Sequence, residues 1–311
     1  MSRGRDFNDA EDRVSSGPLR REHEEQSTER TTSRGTENTT EAHTHTPDRN
    51  RDRSEKTPRT TPRQVHRDRD HDYRLRESEV ATLIEIAKFR TVRPEDLVEY
   101  KYEGDRERAS ADLRNLTAQG LIEKRTMHGR KPGQLLAVTS DGKRFVEHNE
   151  RDGTHKDQKF HRGFVKLREA RHDSALYRLY QKAAARIERD GGKNLRVVLD
   201  YELKKDLYRD LAELKAVSSN EREERKEDIA EAHGLKVIDG KIPLPDLRIE
   251  YENRDGEQSR EDLELATSDY RGGQLAEKAR AGFSIYAPAD EASRVRAALK
   301  DPGLMTEILT L

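Results

Sequence analysis

Apolar residues are scarce and without period from residue 1 to residue 72, then recur at two spacings along the rest of the chain. In "ESEVATLIEIAKF", Val80, Leu83, Ile84 and Ala87 fall on one face of a 3.6-residue turn, which predicts an amphipathic helix. "TVRPEDLVEY" starts a second helix, with Pro94 where a first turn tolerates it and acids just behind. After a break at Gly104, "DRERASADLRNLTAQG" offers Asp105 as N-cap, Ala109, Leu113 and Leu116 as a buried stripe, and Gly120 as terminator. "LIEKRTM" and "QLLAVT" read as two short strands around the turn-rich tip "HGRKPG", and "SDGKRFVEHN" starts a helix at Ser140.

Residues 151–168 are polar with two glycines and few apolar positions, and read as a linker. The pattern resumes in "RHDSALYRLYQKAAARIER", where Ala175, Leu176, Leu179, Tyr180 and Ala183 mark one helix face. Further on, "LRVVLDYEL" has a β-branched centre, "KKDLYRDLAELKAV" is helical in spacing, and "NEREERKEDIAEAHG" is a charged helix ending at Gly234. "DLRIEY" and "DLELAT" are strands, followed by a helix "GQLAEKARAG", a strand "FSIYAP" and a helix "ADEASRVRAALKDP". Strands alternating with helices predict a helix-covered sheet. The expected organisation is therefore a disordered charged tail over 1–72, a first domain over 73–150, a linker over 151–168 and an α/β domain over 169–311.

Composition explains the silent N-terminal stretch. Of 311 residues, 40% are charged and 31% hydrophobic, well short of the apolar share of a fully globular chain. Residues 1–72, rich in Arg, Glu, Thr and Asp, bury too little to offset the entropy of ordering a backbone. The chain has no Cys, which excludes disulfides and thiolate metal sites and suits a reducing cytoplasm, the expected location. No run of about 18 apolar residues is present, so no membrane association is expected. Net charge is −1, so affinity for an anionic partner must come from local patches.

Two such patches stand out. Arg106, Ser110 and Arg114 recur four apart on the third helix, opposite its apolar stripe. A helix entering the major groove needs donors of this kind for phosphates and base edges. The hairpin adds Lys124, Arg125, His128, Arg130 and Lys131, suited to the duplex backbone or minor groove. Glu107 and Asp112 on the same helix oppose this reading.

The order helix, helix, helix, hairpin, helix, carried by "ASADLRNLTAQGLIEK…LLAVTSDGKRFVEH", resembles the winged-helix transcription regulators over Arg74 to about Glu150. With "RHDSALYRLY", "LDYELKKDL", "PDLRIEY" and "LELATSDY" the chain resembles the replication-relaxation family of plasmid and mobile-element proteins from about Leu75 to Pro288. The resemblance implies an α+β winged helix followed by an α/β restriction-endonuclease-like domain of the PD-(D/E)xK type. It implies double-stranded DNA as partner, with plasmid replication or mobilisation proteins as further candidates. A homodimer stays open, although no heptad seam sets one.

Nucleases of that type hold Mg²⁺ between converging carboxylates and use a lysine to orient water. Here the candidates are Asp246 and Glu264 on neighbouring strands, with Glu202 as a third metal ligand. Ala266 stands in the usual lysine slot, and Lys278 on the following helix is the substitute. The plain alternative is that Asp246 is a turn residue and Glu264 a solvated one. The expectation is a DNA-binding protein acting in replication control or mobilisation, with a non-cleaving nuclease-like domain and no cofactor. A Mg²⁺-dependent endonuclease and a protein-docking adaptor without DNA binding remain alternatives. His172 could serve a phosphate or a metal, although a histidine at a helix entry is more often a capping or surface residue.

Overall fold

A computed structural model describes residues 61–69, 71–128, 133–151, 153, 155, 157–164, 167–216, 218–267, 270, 272–298 and 308–311. The expected tail lies outside these residues up to position 60, but its last part is a folded hairpin, which corrects the boundary at 72. Strands β1 (Gln64–Asp68) and β2 (His71–Leu75) pair antiparallel. Tyr73 and Leu75 alternate inward on β2, and Tyr73 meets Phe145 edge-on at 5.5 Å. Arg144 donates to Asp68 (2.9 Å) and ties the other strand down.

Helix α1 (Glu77–Ala87) buries the predicted stripe. Its fully buried Glu79 accepts from the Arg76 backbone N–H (2.8 Å), from Arg63 (2.7 Å) and from Asn115 (3.1 Å), so the first turn, the segment before β1 and the third helix share one carboxylate. Helix α2 (Pro94–Tyr100) has proline in its first turn. In α3 (Arg106–Ala118), Asp105 caps the helix by accepting from the Arg108 N–H, and Gly120, with φ of 72°, turns the chain out. Strands β3 (Ile122–Met127) and β4 (Gly133–Val138) form an antiparallel pair. Helix α4 (Ser140–Asn149) packs so closely that a Cβ on Gly142 would lie 2.1 Å from the Leu121 carbonyl oxygen, which only glycine accommodates.

The second half opens with α5 (Leu167–Arg189), followed by β5 (Lys193–Leu199), α6 (Asp200–Ala212), a 3₁₀ turn (Glu213–Ala216) and α7 (Ser219–Ala232). Then come β6 (Leu247–Glu252), β7 (Gln258–Leu265), α8 (Gly272–Ala281), β8 (Ser284–Ala287), α9 (Ala292–Ala298) and β9 (Ile308–Thr310). The five strands form one sheet in sequence order. The first three are antiparallel neighbours, the β6–β7 turn being closed by Asn253, whose side-chain oxygen accepts from the N–H groups of Asp255 and Glu257. Strand β8 runs parallel to β7, and β9 to β8, so each needs a crossover. The chain is thus mixed α and β.

The sheet is covered on both sides, and this decides the fate of Glu264. Leu263 and Leu265 join the cluster that α5 covers. Side chains alternate across a strand, so Glu264 points to the opposite side. There Leu275 of α8 and Val295 of α9 build a second cluster with Ile285. Glu264 is therefore fully buried, not solvated.

The two expected domains share a core. One hydrophobic cluster runs from Tyr73 and Leu83 through Phe89 and Phe160 to Tyr177, Val197 and Ile249. Phe89 meets the Tyr177 ring edge-on at 5.3 Å and the Tyr180 ring at 5.5 Å. Within the stretch read as a linker, residues 157–164 are tied to both halves. The Gln158 amide accepts from the Val197 N–H (2.8 Å) and donates to the Val197 carbonyl (2.9 Å), closing the open edge of β5. The His161 N–H donates to the Ala87 carbonyl and the Gly163 N–H to the Val138 carbonyl.

Asp96, in the first turn of α2, is buried at the same junction. Its nearest cation is Arg178 of α5 at 3.7 Å, and its Oδ2 has no hydrogen-bond partner among the described residues. Burial raises the carboxyl pKa to about 6, only partly opposed by Arg178 and Arg93. The folded state thus holds this proton more tightly than the unfolded chain. The contribution is fully present below the unfolded value near 3.8 and is lost as pH rises through about 6. A shift of that size corresponds to roughly 3 kcal/mol. Asp96→Asn is expected to raise the urea midpoint at pH 8 and leave it unchanged at pH 4; an equal shift at both would remove the ionisation as the cause.

Candidate nucleic-acid interface and carboxylate cluster

The α3 stripe is where the sequence places it. Arg106, Ser110 and Arg114 are exposed along one side, opposite buried Ala109, Leu113 and Leu116. Neither arginine has a carboxylate partner among the described residues. Asp112 does not oppose them electrostatically from the surface. It is fully buried on the inner side, where it accepts from Arg76 (2.9 Å), Ser78 (2.8 Å) and Tyr102 (3.2 Å). Glu107 remains exposed in the first turn. Arg108, also exposed, lies over the Tyr102 ring.

On the hairpin, Lys124, Arg125 and His128 are exposed, while Arg130 and Lys131 lie outside the described residues. Strand parity separates the first two. Lys124 pairs with Leu136 and Arg125 with Leu135, so they point to opposite faces of the ribbon. Arg125 stacks over the Phe164 ring at 4.3 Å, on the side that carries the connecting segment. The hairpin thus offers cations in two directions instead of one.

The second site lies at the β6–β7 end. The register Leu247↔Leu263 places Asp246, one residue earlier, across from Glu264, one residue later. Asp246 Oδ2 accepts from the Leu265 N–H (2.9 Å), and Oδ1 lies 3.2 Å from His172 Nε2 of α5. Glu264 Oε1 accepts from the Tyr270 hydroxyl (2.6 Å) and Oε2 from Lys278 Nζ (2.9 Å). Lys278 also donates to the Leu244 carbonyl. Asp246, Glu264 and Lys278 are therefore brought together, as the sequence reading asks.

Glu202 is not among them. As the third residue of α6, its carboxylate turns back to accept from the Leu199 N–H (3.4 Å). It also lies 3.3 Å from His161 and 3.6 Å from Lys159. Sequence reasoning missed Tyr270, and named His172 without placing it against Asp246. His172 directly precedes Asp173 in a helix whose apolar stripe was evident, but the strand it would face was not predictable from spacing. Tyr270 sits beyond the strand and carried no periodic signal.

Burial raises the Glu264 carboxyl to about 7, aided by the negative charge of Asp246 and opposed by Lys278 and Tyr270. Near neutrality the site thus holds a proton that is easily lost. For His172, burial pulls the pKa down, but the hydrogen bond and charge of Asp246, with Asp173 and Glu264, prevail and hold it above its ordinary value. Tyr270 is pushed up by burial and by the two carboxylates. It stays a donor at any physiological pH.

A hard cation that keeps much of its water shell needs only one or two protein carboxylates. Asp246 and Glu264 supply that much, yet each of their four oxygens already has a neighbour within 3.2 Å. Among the described residues no group of three or more His, Asp or Glu side chains is placed to hold a metal ion. Among the same residues no helix is long and apolar enough to cross a membrane.

Compared with family models, curated proteins and solved structures, the chain matches none.

Proposed function

We propose that this protein binds double-stranded DNA, with the first half acting as a winged helix and α3 lying in the major groove. The observation that carries this reading is the row Arg106, Ser110 and Arg114, exposed and free of carboxylate partners beside a hairpin bearing Lys124 and Arg125. Long-side-chain cations left unpaired on a helix are suited to phosphates, and a hydroxyl between them to a phosphate or base edge. The burial of Asp112 removes one of the two acids that spoke against the helix. The second half, built on a restriction-endonuclease-like plan, adds contacts to the same partner. The setting, replication control or mobilisation of a plasmid or mobile element, follows from the family resemblance. A fluorescence anisotropy titration of the full chain with a 30-base-pair duplex at low ionic strength tests the reading. Saturable, salt-sensitive binding is expected; its absence favours a protein-docking adaptor.

A second reading, a Mg²⁺-dependent endonuclease, is favoured by one specific observation: Lys278 reaches Glu264 from α8 despite Ala266 in the usual slot. On this reading Asp246 and Glu264 would hold the metal, which when bound polarises a phosphoryl group and activates water. Lys278 keeps positive charge beside the carboxylates, and His172 holds Asp246 in place. The expected result on supercoiled plasmid is nicking that requires Mg²⁺ or Mn²⁺ and is abolished by Asp246→Asn. Calorimetry without DNA should show metal binding with proton release near pH 7, since Glu264 must give up its proton. Neither nicking nor metal uptake would leave a non-cleaving DNA-binding domain.

A further inference from the structure

Where the connecting segment 157–164 crosses between the two halves, a cleft of about 540 Å³ opens to solvent. Its charge is uneven. Arg90 after α1, Lys143 on α4, and Lys159 and Arg162 on the segment itself line it, beside the rings of Tyr201 and Phe164. Glu169 is the one carboxylate among these lining residues, and it is not free. Three of these cations have a carboxylate within 3.6 Å, and Arg162 has none among the described residues. Arg162 is exposed and donates to the Ser140 hydroxyl. Lys159 is half-exposed, with Glu202 at 3.6 Å, and Lys143 meets Glu147 at 3.3 Å. The Lys143–Glu147 pair, with its carboxylate exposed, is weak and yields to a stronger anion, whereas Lys159 reaches a buried carboxylate and keeps half its own surface open. The Arg90 guanidinium lies over the Tyr201 ring, 4.4 Å from its centroid.

Two connections give the cleft a path. At one end, Phe164 in its wall carries Arg125 of β3, so one cation of the hairpin adjoins those of the cleft. At the other, Arg90 pairs with Asp173 of α5 (3.4 Å), and the preceding residue, His172, contacts Asp246. A small anion would be met by one or two donors in a closed pocket. Here cations from separate elements line an open groove between the two candidate sites, which is the arrangement a repeating polyanion needs.

Resting on the DNA-binding reading above, we propose that this interdomain cleft holds the sugar–phosphate backbone of the bound DNA, guiding it from the hairpin towards the carboxylate cluster. The test uses the full chain and the 30-base-pair duplex, with Lys143, Lys159 and Arg162 all changed to Gln. Affinity at low salt is expected to fall about tenfold or more, and the slope of log K against log salt to lessen by about two to three. Arg162→Gln alone, which breaks no ion pair, should lessen the slope by about one. The charge-keeping variant Lys143→Arg, Lys159→Arg, Arg162→Lys should bind like the wild type. Tight binding by the wild type with unchanged affinity and slope in the Gln variants overturns the cleft and leaves the helix reading standing. No binding by the wild type overturns both. Displacement of the duplex by polyglutamate as readily as by unlabelled duplex would point to an acidic protein partner and overturn the proposal.

Discussion

Charge reversal of α3, Arg106→Glu with Arg114→Glu, is expected to lower duplex affinity at least about a hundredfold at low salt. Two phosphate-facing cations become two anions, so the counterion-release contribution of both is lost and repulsion is added. The salt slope should lessen by about two for the loss of two contacts. Both side chains are exposed and unpaired, so folding should be unaffected, and an unchanged thermal midpoint is the control. Loss of affinity on one sequence but not on another would assign these arginines to base edges; equal loss on all would assign them to the backbone. Unaltered binding would take α3 out of the interface.

The second large effect concerns the joint between the halves. Phe89→Ala should cost about 3–5 kcal/mol, because the ring is buried against Tyr177 and Tyr180 and the site has little room to collapse. That is a large part of the stability of an ordinary domain. The chain has no Trp, so tyrosine fluorescence and far-ultraviolet circular dichroism are the natural probes. For the wild type the two should report one coincident urea transition from the shared core, and for Phe89→Ala the midpoint should fall. Two separated wild-type transitions would show that the halves fold independently.

Much of this architecture was legible because each element carried its own stop and start. Asp105, Gly120 and Gly234 mark helix ends, and apolar stripes at helical spacing mark the buried faces. The hairpin of β1 and β2 was not legible. Its outward strand, "QVHRD", exposes its one aliphatic residue, Val65, and its order comes from Arg144 and Phe145 far along the chain. The segment 157–164 was illegible for a similar reason: Gln158 works by lending a side-chain amide to a sheet edge, which leaves no period. Its alternation of bases and rings in "KFHRGF" was the available signal. At the carboxylate cluster, strand parity sent Glu264 away from the first core, but parity alone does not reveal that α8 covers the other side. Lys278 was found because a missing lysine sends the search to the next helix. Glu202 was misplaced because a helix N-terminus can use its own third-residue carboxylate.

The central claim is an interface between unpaired cations and a phosphate backbone. The salt dependence of wild-type binding to duplex DNA tests it most directly. With Arg106, Arg114 and one of the two hairpin cations engaged, log K should fall linearly with log salt, with a slope of about −3 or steeper. A slope near zero, or no binding at low ionic strength, would contradict the account.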